Sequence, residues 1–429
     1  MTAFAPRGPL RGTAWIPGDK SISHRALMLA ALAVGESRID GLCDGADVQA
    51  TILALEAMGA RIRPTESICS IHGVGVAGLL QPEAAFDLGN SGTSARLLMG
   101  LVASHPVKAV FTGDPSLSRR PMERVASPLR RIGAGIDTAP GGRLPLTVTG
   151  LAPALARRHV LQTASAQVKS ALLLAALNQP GITSVEAPPS RDHLERLLPL
   201  FGAEVETGDG TIRVRGEVEL NPVTLTVPGD PSAAAFLTVA ALVVPGSALR
   251  IENVGINPLR TGFYELLAEM GADLTFSGRR MVSGEPVADL EVRHSSLTGC
   301  EVPPDLAPRM IDEFPILFVA GAFAAGTTRT SQLSELRIKE SDRLATMASG
   351  LREIGVAVEE QEDGLVVEGS AGEPLPGGGM VSTALDHRVA MSFAVAGLHS
   401  REPVGIDDMR PIDNSFPRFL AVLEALTRI

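Results

Sequence analysis

The sequence predicts an α/β protein built from repeated units, and three observations support that fold class. A module recurs six times along the 429 residues: a small polar or charged cluster, an Ala/Leu/Val-rich helical stretch, a glycine and a short β-branched strand. A second phrase, Leu55 to Ala60 in its first copy, returns four times and is typical of a helix that ends at glycine. The spacing of about 70 residues exceeds the roughly 20 to 50 of solenoid repeats, so each unit is a small α/β fragment.

Each module begins with its polar cluster at the predicted start of an apolar helix. The clusters begin at Lys20-Ser21, Ser91-Gly92, Ser165-Ala166-Gln167, Pro231-Ser232, Asp312-Glu313 and Asp386-His387-Arg388. Helix N-termini carry unpaired N–H groups and partial positive charge, so six related starts that face common space would bind anions. Several of these helices, such as Ala171 to Leu177, are apolar nearly all round and are predicted to be buried.

A longer repeat divides the chain into two predicted domains of three units each. The phrase Ile16-Pro17-Gly18-Asp19-Lys20-Ser21 returns as Val227-Pro228-Gly229-Asp230-Pro231-Ser232. Both Pro-Gly-Asp phrases indicate turns, and we expect the chain to cross between domains near residues 17–19 and 228–230. The predicted N-terminal domain spans residues 19–228, and the C-terminal domain spans residues 1–18 plus 229–429. A chain of this length can bury two sizeable cores.

Composition excludes several classes of protein. The net charge is -10 and aromatic residues make up 3%, which argues against a nucleic-acid binder. Three cysteines without CxxC spacing argue against a disulfide framework or a cysteine metal site, and no His/Cys/Asp/Glu set has metal-ligand spacing. The first residues resemble no signal peptide, and the apolar runs are shorter than a membrane span. We therefore expect a cytoplasmic enzyme or binding protein without a bound metal.

Some polar phrases have both a functional and a structural interpretation. Pro17 to Arg25 packs Lys20 and Arg25 with two hydroxyls at a strand-to-helix turn, where they would clamp a phosphate or carboxylate. It lacks the spacing of a P-loop. A capped helix with surface charges is the structural alternative, and a plain N-cap is the alternative for Gly89 to Arg96.

The densest charge cluster, Arg337 to Leu344, is predicted to lie in a loop between a strand and a helix. Strand-like stretches from Thr327 to Thr330 and from Leu333 to Ile338 precede it. Ligands bind at such loops in α/β folds, although charge runs are usually solvated faces. The Pro-rich segment Glu301 to Arg309 is predicted to be another loop.

Taken together, these phrases resemble the family of EPSP synthases, the 3-phosphoshikimate 1-carboxyvinyltransferases. The phrases that carry the resemblance are Pro17 to Arg25, Leu88 to Arg96, Arg120-Pro121-Met122, Ser165 to Lys169, Arg337 to Leu344 and Asp386 to Met391. They cover essentially the whole chain in order. The resemblance implies an inside-out α/β barrel, with two domains of three βαβαββ-type units that close on substrate between them.

The resemblance also implies an activity of chorismate and aromatic amino acid biosynthesis. The enolpyruvyl group of phosphoenolpyruvate passes to the 5-hydroxyl of shikimate-3-phosphate and phosphate is released, with no metal or organic cofactor. We expect a monomer whose partners are these two small molecules, without nucleic acid or membrane. Two dianionic substrates need many cations, and addition followed by elimination needs one base and one acid, which agrees with the residues present.

Site residues follow from the resemblance, position by position. Contacts to shikimate-3-phosphate are implied for Lys20, Ser21, Arg25, Ser165, Ala166, Gln167, Arg191 and Lys339. Contacts to phosphoenolpyruvate are implied for Lys20, Asn90, Gly92, Arg120, Arg343 and Arg388. Asp312 would accept the proton of the attacking hydroxyl, and Glu340 with Lys20 would protonate the vinyl carbon.

The chain departs from the family pattern in one place and resembles one branch in others. Asn414 stands where some members have a lysine before Ser/Thr-Phe-Pro, so a role for lysine there is not implied. The sequence around Ser165 and Arg191 resembles the divergent branch of the family that includes glyphosate-tolerant class II enzymes. That branch can carry alanine where this chain has Gly92. We therefore predict that glyphosate inhibits this chain and that Gly92→Ala raises tolerance.

Two alternatives remain from the sequence alone. A UDP-N-acetylglucosamine enolpyruvyl transferase would share the architecture, but it usually carries a cysteine in a mobile loop, and none lies near Arg119-Arg120. A non-catalytic anion-binding protein of the same fold would not need Lys20, Asp312 and Glu340 together.

Overall fold

Two separate hydrophobic cores divide the chain. The computed structural model describes residues 2–65 and 68–427. One unit, the N-terminal unit, contains Gly18–Val227 and Met281–Glu285; the other, the C-terminal unit, contains Met1–Pro17, Pro228–Arg280 and Pro286–Ile429. Each has one continuous cluster of buried, mostly aliphatic side chains. The short segment Met281–Glu285 is the tip of a hairpin, and the sequence had not indicated its place in the N-terminal unit.

Helices and strands alternate along most of the described chain. The helices are α1 (Lys20–Leu32), α2 (Ala46–Ala57), α3 (Gly92–Ala103), α4 (Pro115–Arg119), α5 (Glu123–Arg130), α6 (Ala166–Ala176), α7 (His193–Leu197), α8 (Pro231–Val243), α9 (Gly262–Glu269), α10 (Ala307–Met310), α11 (Phe314–Phe323), α12 (Arg343–Glu353), α13 (His387–Gly397) and α14 (Phe419–Thr427). Short 3-10 helices span Leu198–Phe201, Pro304–Leu306, Ser334–Ile338 and Arg410–Asn414.

The strands are short, as expected for a sheet in each repeat. They are β1 (Thr2–Phe4), β2 (Arg11–Ala14), β3 (Val34–Asp40), β4 (Arg61–Pro64), β5 (Ile68–Val74), β6 (Phe86–Asp87), β7 (Lys108–Thr112), β8 (Gly135–Ala139), β9 (Arg143–Thr149), β10 (Arg158–Val160), β11 (Ile182–Glu186), β12 (Val205–Gly208), β13 (Thr211–Arg215), β14 (Thr224–Thr226), β15 (Ala248–Gly255), β16 (Asp273–Val282), β17 (Glu285–Arg293), β18 (Thr327–Arg329), β19 (Val358–Glu360), β20 (Leu365–Glu368), β21 (Leu375–Gly377), β22 (Met380–Val381), β23 (Ser400–Glu402) and β24 (Val404–Ile406).

The three sheets of the N-terminal unit share one pattern. Their strand orders are β14-β3-β5-β4, β6-β7-β9-β8 and β10-β11-β13-β12. In each sheet the first two strands are parallel and the other neighbours are antiparallel. The first sheet takes its outer strand, β14, from the end of the unit. An internal threefold repeat produces this arrangement, because each copy must cover the same apolar helix face.

Three helices of the N-terminal unit, α1, α3 and α6, are buried along nearly their whole length. The prediction for Ala171 to Leu177 is therefore confirmed. Gly100 shows how closely α3 and α6 approach, since a Cβ at that position would lie 2.1 Å from the Ala171 carbonyl oxygen. Small residues allow such close backbone packing, so the interior of the unit is a helical core covered by sheets.

The C-terminal unit repeats this construction with α8, α11 and α13 as its buried helices. Its larger sheets have the strand orders β16-β17-β15-β2, β18-β20-β19 and β1-β24-β22, and β21 pairs with β23. The N-terminal strands β1 and β2 thus complete sheets of the C-terminal unit. In the described residues, no helix combines the length and apolar character needed to cross a membrane.

Two local predictions were wrong. Leu333 to Ile338 is not a strand, because Ser334–Ile338 forms a 3-10 helix. Leu333 and Leu336 are both buried and lie three residues apart, which matches the period of a 3-10 turn. The segment Glu301 to Arg309 is not a plain loop either, since it contains the 3-10 helix Pro304–Leu306 and enters α10. Proline is tolerated in the first turn of a helix, where its missing N–H costs nothing.

Candidate active site

The six polar clusters lie where the sequence predicted, at the starts of the six buried helices. These starts are Lys20 of α1, Gly92 of α3, Ala166 of α6, Pro231 of α8, Phe314 of α11 and His387 of α13. Side chains cap several of them: Asp19 accepts from the Ile22 N–H at 2.9 Å. Four other helix starts are capped in the same way, by side chains that accept from a backbone N–H of the first turn: Ser91, Ser165, Asp230 and Asp386. The fifteen predicted site residues fall into two groups, one in each unit.

Lys20, Ser21 and Arg25 form a cluster on the first turns of α1. Arg25 donates to the Ser21 carbonyl oxygen at 2.8 Å and, through Nε and Nη2, to Ser170 Oγ at 3.1 and 2.8 Å. Arg191 Nη1 lies 3.4 Å from Ser21 Oγ. The Arg25 guanidinium is therefore held in a fixed orientation beside a second arginine. Two such guanidinium groups suit the oxygens of a phosphate.

Lys20 is held by a residue that the sequence did not single out. Its Nζ lies 2.7 Å from Asp47 Oδ2, and the two side chains are only 14% and 10% exposed. Asp47 lies in the first turn of α2, 27 residues from Lys20. A carboxylate at this distance favours the charged ammonium, so Lys20 remains available as a cation for an anionic ligand.

Asn90, Gly92 and Arg120 form a second cluster, at the start of α3. Arg120 Nη2 donates to Asn90 Oδ1 and, at 3.2 Å, to Ser116 Oγ. Gly92 provides the space for this guanidinium, because a Cβ there would lie 2.8 Å from Arg120 Nη1. The arrangement places a cation next to the N-terminus of a helix, whose partial positive charge also favours anions.

The starts of α3 and α6 are joined by polar side chains. Arg96 Nη1 donates to Gln167 Oε1 at 2.8 Å, and Gln167 Nε2 donates to Thr93 Oγ1 at 3.0 Å. Ser165 caps α6, and Ala166 is its first residue. The predicted residues Ser165, Ala166 and Gln167 therefore lie together, and they are tied to the helix that carries Gly92.

Arg343 organises the cluster of the C-terminal unit. It is fully buried, and its guanidinium contacts Asp386 at 2.8 Å, Asp312 at 3.4 Å and Glu340 at hydrogen-bond distance. Burial opposes the charge, but the carboxylates of Asp386, Glu340 and Asp312 outweigh it and raise the pKa of Arg343 above its ordinary value. The two predicted acid–base carboxylates, Asp312 and Glu340, are thus oriented by one cation.

Arg388 lies at the first turn of α13, beside the same acids. Its Nη1 donates to the Asp312 carbonyl oxygen at 3.0 Å, and its guanidinium lies 3.9 Å from carboxylate oxygens of both Asp312 and Glu313. A buried arginine needs an anionic partner, and these two carboxylates supply it. Lys339 directly follows the 3-10 helix Ser334–Ile338, at the entrance to α12.

Sequence reasoning did not identify four residues that hold groups at the helix starts through hydrogen bonds or ion pairs. They are Asp47, Ser170, Asp386 and Arg260. Arg260 is buried and contacts Ser232 Oγ at 2.8 Å and Asp230 at 3.3 Å, at the start of α8. Asp386 belongs to a phrase that the sequence does single out, so its N-cap position was a usable signal. The other three lie far along the chain from the groups they hold, and no motif marks them.

One group in the N-terminal unit has the residue types of a metal site. Ligand atoms of Asp192, His193 and Glu285 lie within 4.8 Å of one another. However, Arg196 Nε lies 2.9 Å from Asp192 and 4.0 Å from Glu285, and His193 Nδ1 lies 2.7 Å from Glu285. A guanidinium therefore already neutralises these acids, and we assign no metal to the group.

Comparison with known proteins gives the family. The family model for EPSP synthase (3-phosphoshikimate 1-carboxyvinyltransferase) matches residues 4–423. The chain belongs to the EPSP synthase family. A 3-phosphoshikimate 1-carboxyvinyltransferase of Sphingopyxis alaskensis is 58% identical over 99% of this chain and 98% of its own, and one of Zymomonas mobilis is 60% identical over 96% and 93%.

Solved structures agree with the family assignment. An EPSP synthase from Acinetobacter baumannii is 43% identical, with a TM-score of 0.87 over 99% of this chain and 98% of that one. The enolpyruvyl transferase NikO from Streptomyces tendae is 18% identical with a TM-score of 0.78, so it shares the fold alone. The α/β architecture of this chain is therefore the enolpyruvyl transferase fold. The two groups of predicted site residues, one in each unit, lie in a chain of the EPSP synthase family.

Proposed function

We propose that this chain transfers the enolpyruvyl group of phosphoenolpyruvate to the 5-hydroxyl of shikimate-3-phosphate, releasing phosphate. The observation that carries the proposal is the placement of cations and carboxylates at the starts of buried helices, in a chain of the EPSP synthase family. The product feeds chorismate and aromatic amino acid biosynthesis. Fixed cations and helix N-termini stabilise the negative charge of two substrates that each carry a phosphate and a carboxylate, without reorganising during the reaction.

Shikimate-3-phosphate binds mainly to groups of the N-terminal unit in this proposal. Arg25 and Arg191 hold its phosphate, and Ser170 and Ser21 keep these two guanidinium groups oriented. The remaining contacts come from Lys20, Ser165, Ala166, Gln167 and Lys339. Two fixed arginines favour a tetrahedral dianion over a single carboxylate, because each can donate a pair of N–H groups.

Phosphoenolpyruvate binds to a set that centres on three arginines: Arg120, Arg343 and Arg388. Lys20, Asn90 and Gly92 complete the set, and the partial positive charge at the start of α3 favours its phosphate. Each arginine in the set already has a structural partner, such as Asn90 for Arg120. Each guanidinium is therefore oriented within its own unit before substrate arrives, which lowers the entropy lost on binding.

The chemistry needs one base and one acid. Asp312 takes the proton of the 5-hydroxyl as its oxygen attacks C2 of phosphoenolpyruvate, and Glu340 with Lys20 delivers a proton to C3. Glu340 then takes a proton back from C3 as the C2–C3 double bond re-forms and the C2–O bond to phosphate breaks, and the leaving phosphate takes the hydroxyl proton from Asp312. Arg343 forms ion pairs with both carboxylates and so holds them in place for these proton transfers.

Several finer features belong to the same proposal. Each three-unit domain forms an inside-out α/β barrel, with the boundaries at residues 17–19 and 228–230. The chain acts as a monomer in the cytoplasm, and it is a glyphosate target within the divergent branch that includes class II enzymes. Asn414, in the 3-10 helix Arg410–Asn414, stands where some members carry a lysine, so the proposal includes no lysine at that position.

The proposal is tested by following the products with phosphorus NMR. Purified protein with shikimate-3-phosphate and phosphoenolpyruvate should yield inorganic phosphate and an enolpyruvyl ether of shikimate-3-phosphate in equal amounts. The matched reaction replaces shikimate-3-phosphate with UDP-N-acetylglucosamine and should yield neither product. An enolpyruvyl ether only with the nucleotide sugar would overturn the assignment, and binding of both substrates without any product would leave a binding protein.

A further inference from the structure

A chain of buried polar side chains links the first three helices of the N-terminal unit. His24 lies on α1, Thr51 on α2, and Ser91 and Ser94 at the start of α3; all four are fully buried. Buried polar groups are costly unless they are hydrogen-bonded. Four such groups in an otherwise aliphatic core therefore form a connected structure and not a set of isolated residues.

The contacts run continuously from one helix to the next. His24 Nδ1 lies 2.7 Å from Thr51 Oγ1, which lies 2.7 Å from Ser94 Oγ. Ser94 Oγ lies 2.6 Å from Ser91 Oγ and 3.1 Å from the Asp47 carbonyl oxygen. One hydroxyl, that of Thr51, therefore bridges helices α1 and α3.

One arrangement of protons makes every one of these contacts a hydrogen bond. A carbonyl oxygen only accepts, so Ser94 donates its single proton to Asp47. Ser91 and Thr51 must then both donate to Ser94 Oγ. Thr51 has no second proton for His24, so His24 donates from Nδ1. The imidazole is thereby fixed as the tautomer with a proton on Nδ1 and a lone pair on Nε2.

Two further observations agree with a neutral His24 in that tautomer. Burial lowers the pKa of His24 well below its ordinary value, and the charges of Lys20 and Arg25 lower it further. Among residues 2–65 and 68–427, no hydrogen-bond partner lies against its Nε2. A proton on Nε2 would therefore be a buried donor without an acceptor. The Nδ1-protonated tautomer avoids this, because its Nε2 carries only a lone pair.

The chain of hydrogen bonds ends beside groups that the proposed function uses. Thr51 lies one helical turn after Asp47, so both face the same side of α2. Asp47 holds Lys20 through its carboxylate and the start of α3 through its carbonyl oxygen. Ser91 caps α3, whose first residue is Gly92.

We propose that Thr51 and His24 are positioning residues, whose buried hydrogen bonds fix the starts of α1, α2 and α3 so that Lys20 and the N-terminal end of α3 address the same anion. This inference rests on the proposed function, in which that anion is phosphoenolpyruvate. Neither residue touches the substrate. They act through α1 and α3, whose first turns carry Lys20 and Gly92, because a shift of either helix start moves one part of the binding set away from the other.

The kinetic test compares Thr51→Val with Thr51→Ser. Valine keeps the shape but removes both hydrogen bonds, and we expect a roughly tenfold rise in KM for phosphoenolpyruvate, the factor for about one lost hydrogen bond. The KM for shikimate-3-phosphate should change less, and Thr51→Ser should restore the wild-type KM for phosphoenolpyruvate. A folded Thr51→Val with an unchanged KM, or equal impairment of both variants, would overturn the proposal.

A second measurement needs no activity and no folded variant. Nitrogen-15 NMR of the wild-type protein labelled at its eight histidines reports the tautomer of each ring. We expect His24 to be neutral with its proton on Nδ1. A proton on Nε2, or a charged ring, contradicts the network whatever the enzyme turns over. Absence of turnover in the wild type, with the expected tautomer, would instead refute the proposed function and leave the network in place.

Discussion

Gly92→Ala tests whether the start of α3 and Arg120 bind the same anion. Gly92 is buried in the first turn of α3, and an added Cβ would lie 2.8 Å from Arg120 Nη1 and 3.2 Å from Arg96 Nη1. Alanine is otherwise a better helix residue than glycine, so the helix itself is not weakened. The perturbation therefore falls on two guanidinium groups and not on the fold.

The size of the effect follows from the Arg120 contacts. To reach an ordinary contact of about 3.4 Å, Nη1 must retreat by roughly 0.6 Å. Arg120 Nη2 is tied to Asn90 and Ser116, so this movement strains hydrogen bonds that orient the guanidinium. A charge-assisted hydrogen bond contributes about 1.5 to 3 kcal/mol. Losing about half of one raises the KM for phosphoenolpyruvate by roughly four- to twelvefold.

Glyphosate should lose more affinity than phosphoenolpyruvate. Its backbone has one atom more between phosphorus and the carboxylate, so it tolerates a narrowed site less well. Steady-state kinetics with phosphoenolpyruvate varied, at several glyphosate concentrations, give both constants. The expected result is a rise in the inhibition constant that exceeds the rise in KM.

The matched control is Gly208→Ala. Among the described residues, nothing lies within 4 Å of a Cβ at Gly208, which is in the exposed strand β12, so the same chemical change should leave both constants unaltered. If Gly92→Ala is folded and both its KM and its inhibition constant match the wild type, Arg120 and the start of α3 do not bind the same anion.

Three further changes test other parts of the molecule. Arg343→Met leaves the buried Asp386 carboxylate without its guanidinium, and we expect unfolding in urea to show a loss of about 3 to 5 kcal/mol. Ser170→Ala removes the acceptor that orients Arg25, so the KM for shikimate-3-phosphate should rise several-fold while that for phosphoenolpyruvate stays constant. Burial, with help from nearby arginines, lowers the pKa of His159 to about 4, so His159→Leu should flatten the loss of stability on acidification.

The sign of the His159 effect follows from proton binding. Between pH 6.5 and about 4 the unfolded chain protonates His159 and the folded chain does not, so wild-type stability is complete above this window and falls within it. Equal slopes for wild type and His159→Leu would contradict this. A loss below about 1 kcal/mol for Arg343→Met would show that the buried carboxylate finds other compensation. A rise in both Michaelis constants for Ser170→Ala would indicate a general structural defect.

The helix starts were predictable because their chemistry is local. A capping side chain, an apolar run and a closing glycine lie within a dozen or so residues, and α1, α3, α6, α8, α11 and α13 all begin at the predicted clusters. The 3-10 helix Ser334–Ile338 was missed because a few alternating apolar residues fit either a short strand or a tight turn.

Partners across the fold were not predictable from the sequence. Ser170 lies 145 residues from Arg25, and Asp47 lies 27 residues from Lys20. Nothing local marks a serine inside a buried helix as the acceptor for a distant guanidinium. Sequence reasoning therefore identified most groups proposed to touch the substrates, whereas the residues that hold those groups required the structure.

In the proposed reaction, Asp312 acts as the base of an enolpyruvyl transfer from phosphoenolpyruvate to shikimate-3-phosphate. The most direct measurement is the rate of phosphate release for wild type, Asp312→Asn and the control Asp305→Asn, whose exposed side chain lies in the neighbouring 3-10 helix. We expect release that requires both substrates, persists in Asp305→Asn and falls by at least about a hundredfold in Asp312→Asn. Undiminished release from Asp312→Asn would show that Asp312 is not the base. Release from phosphoenolpyruvate without shikimate-3-phosphate would show that the reaction is not a transfer to that acceptor.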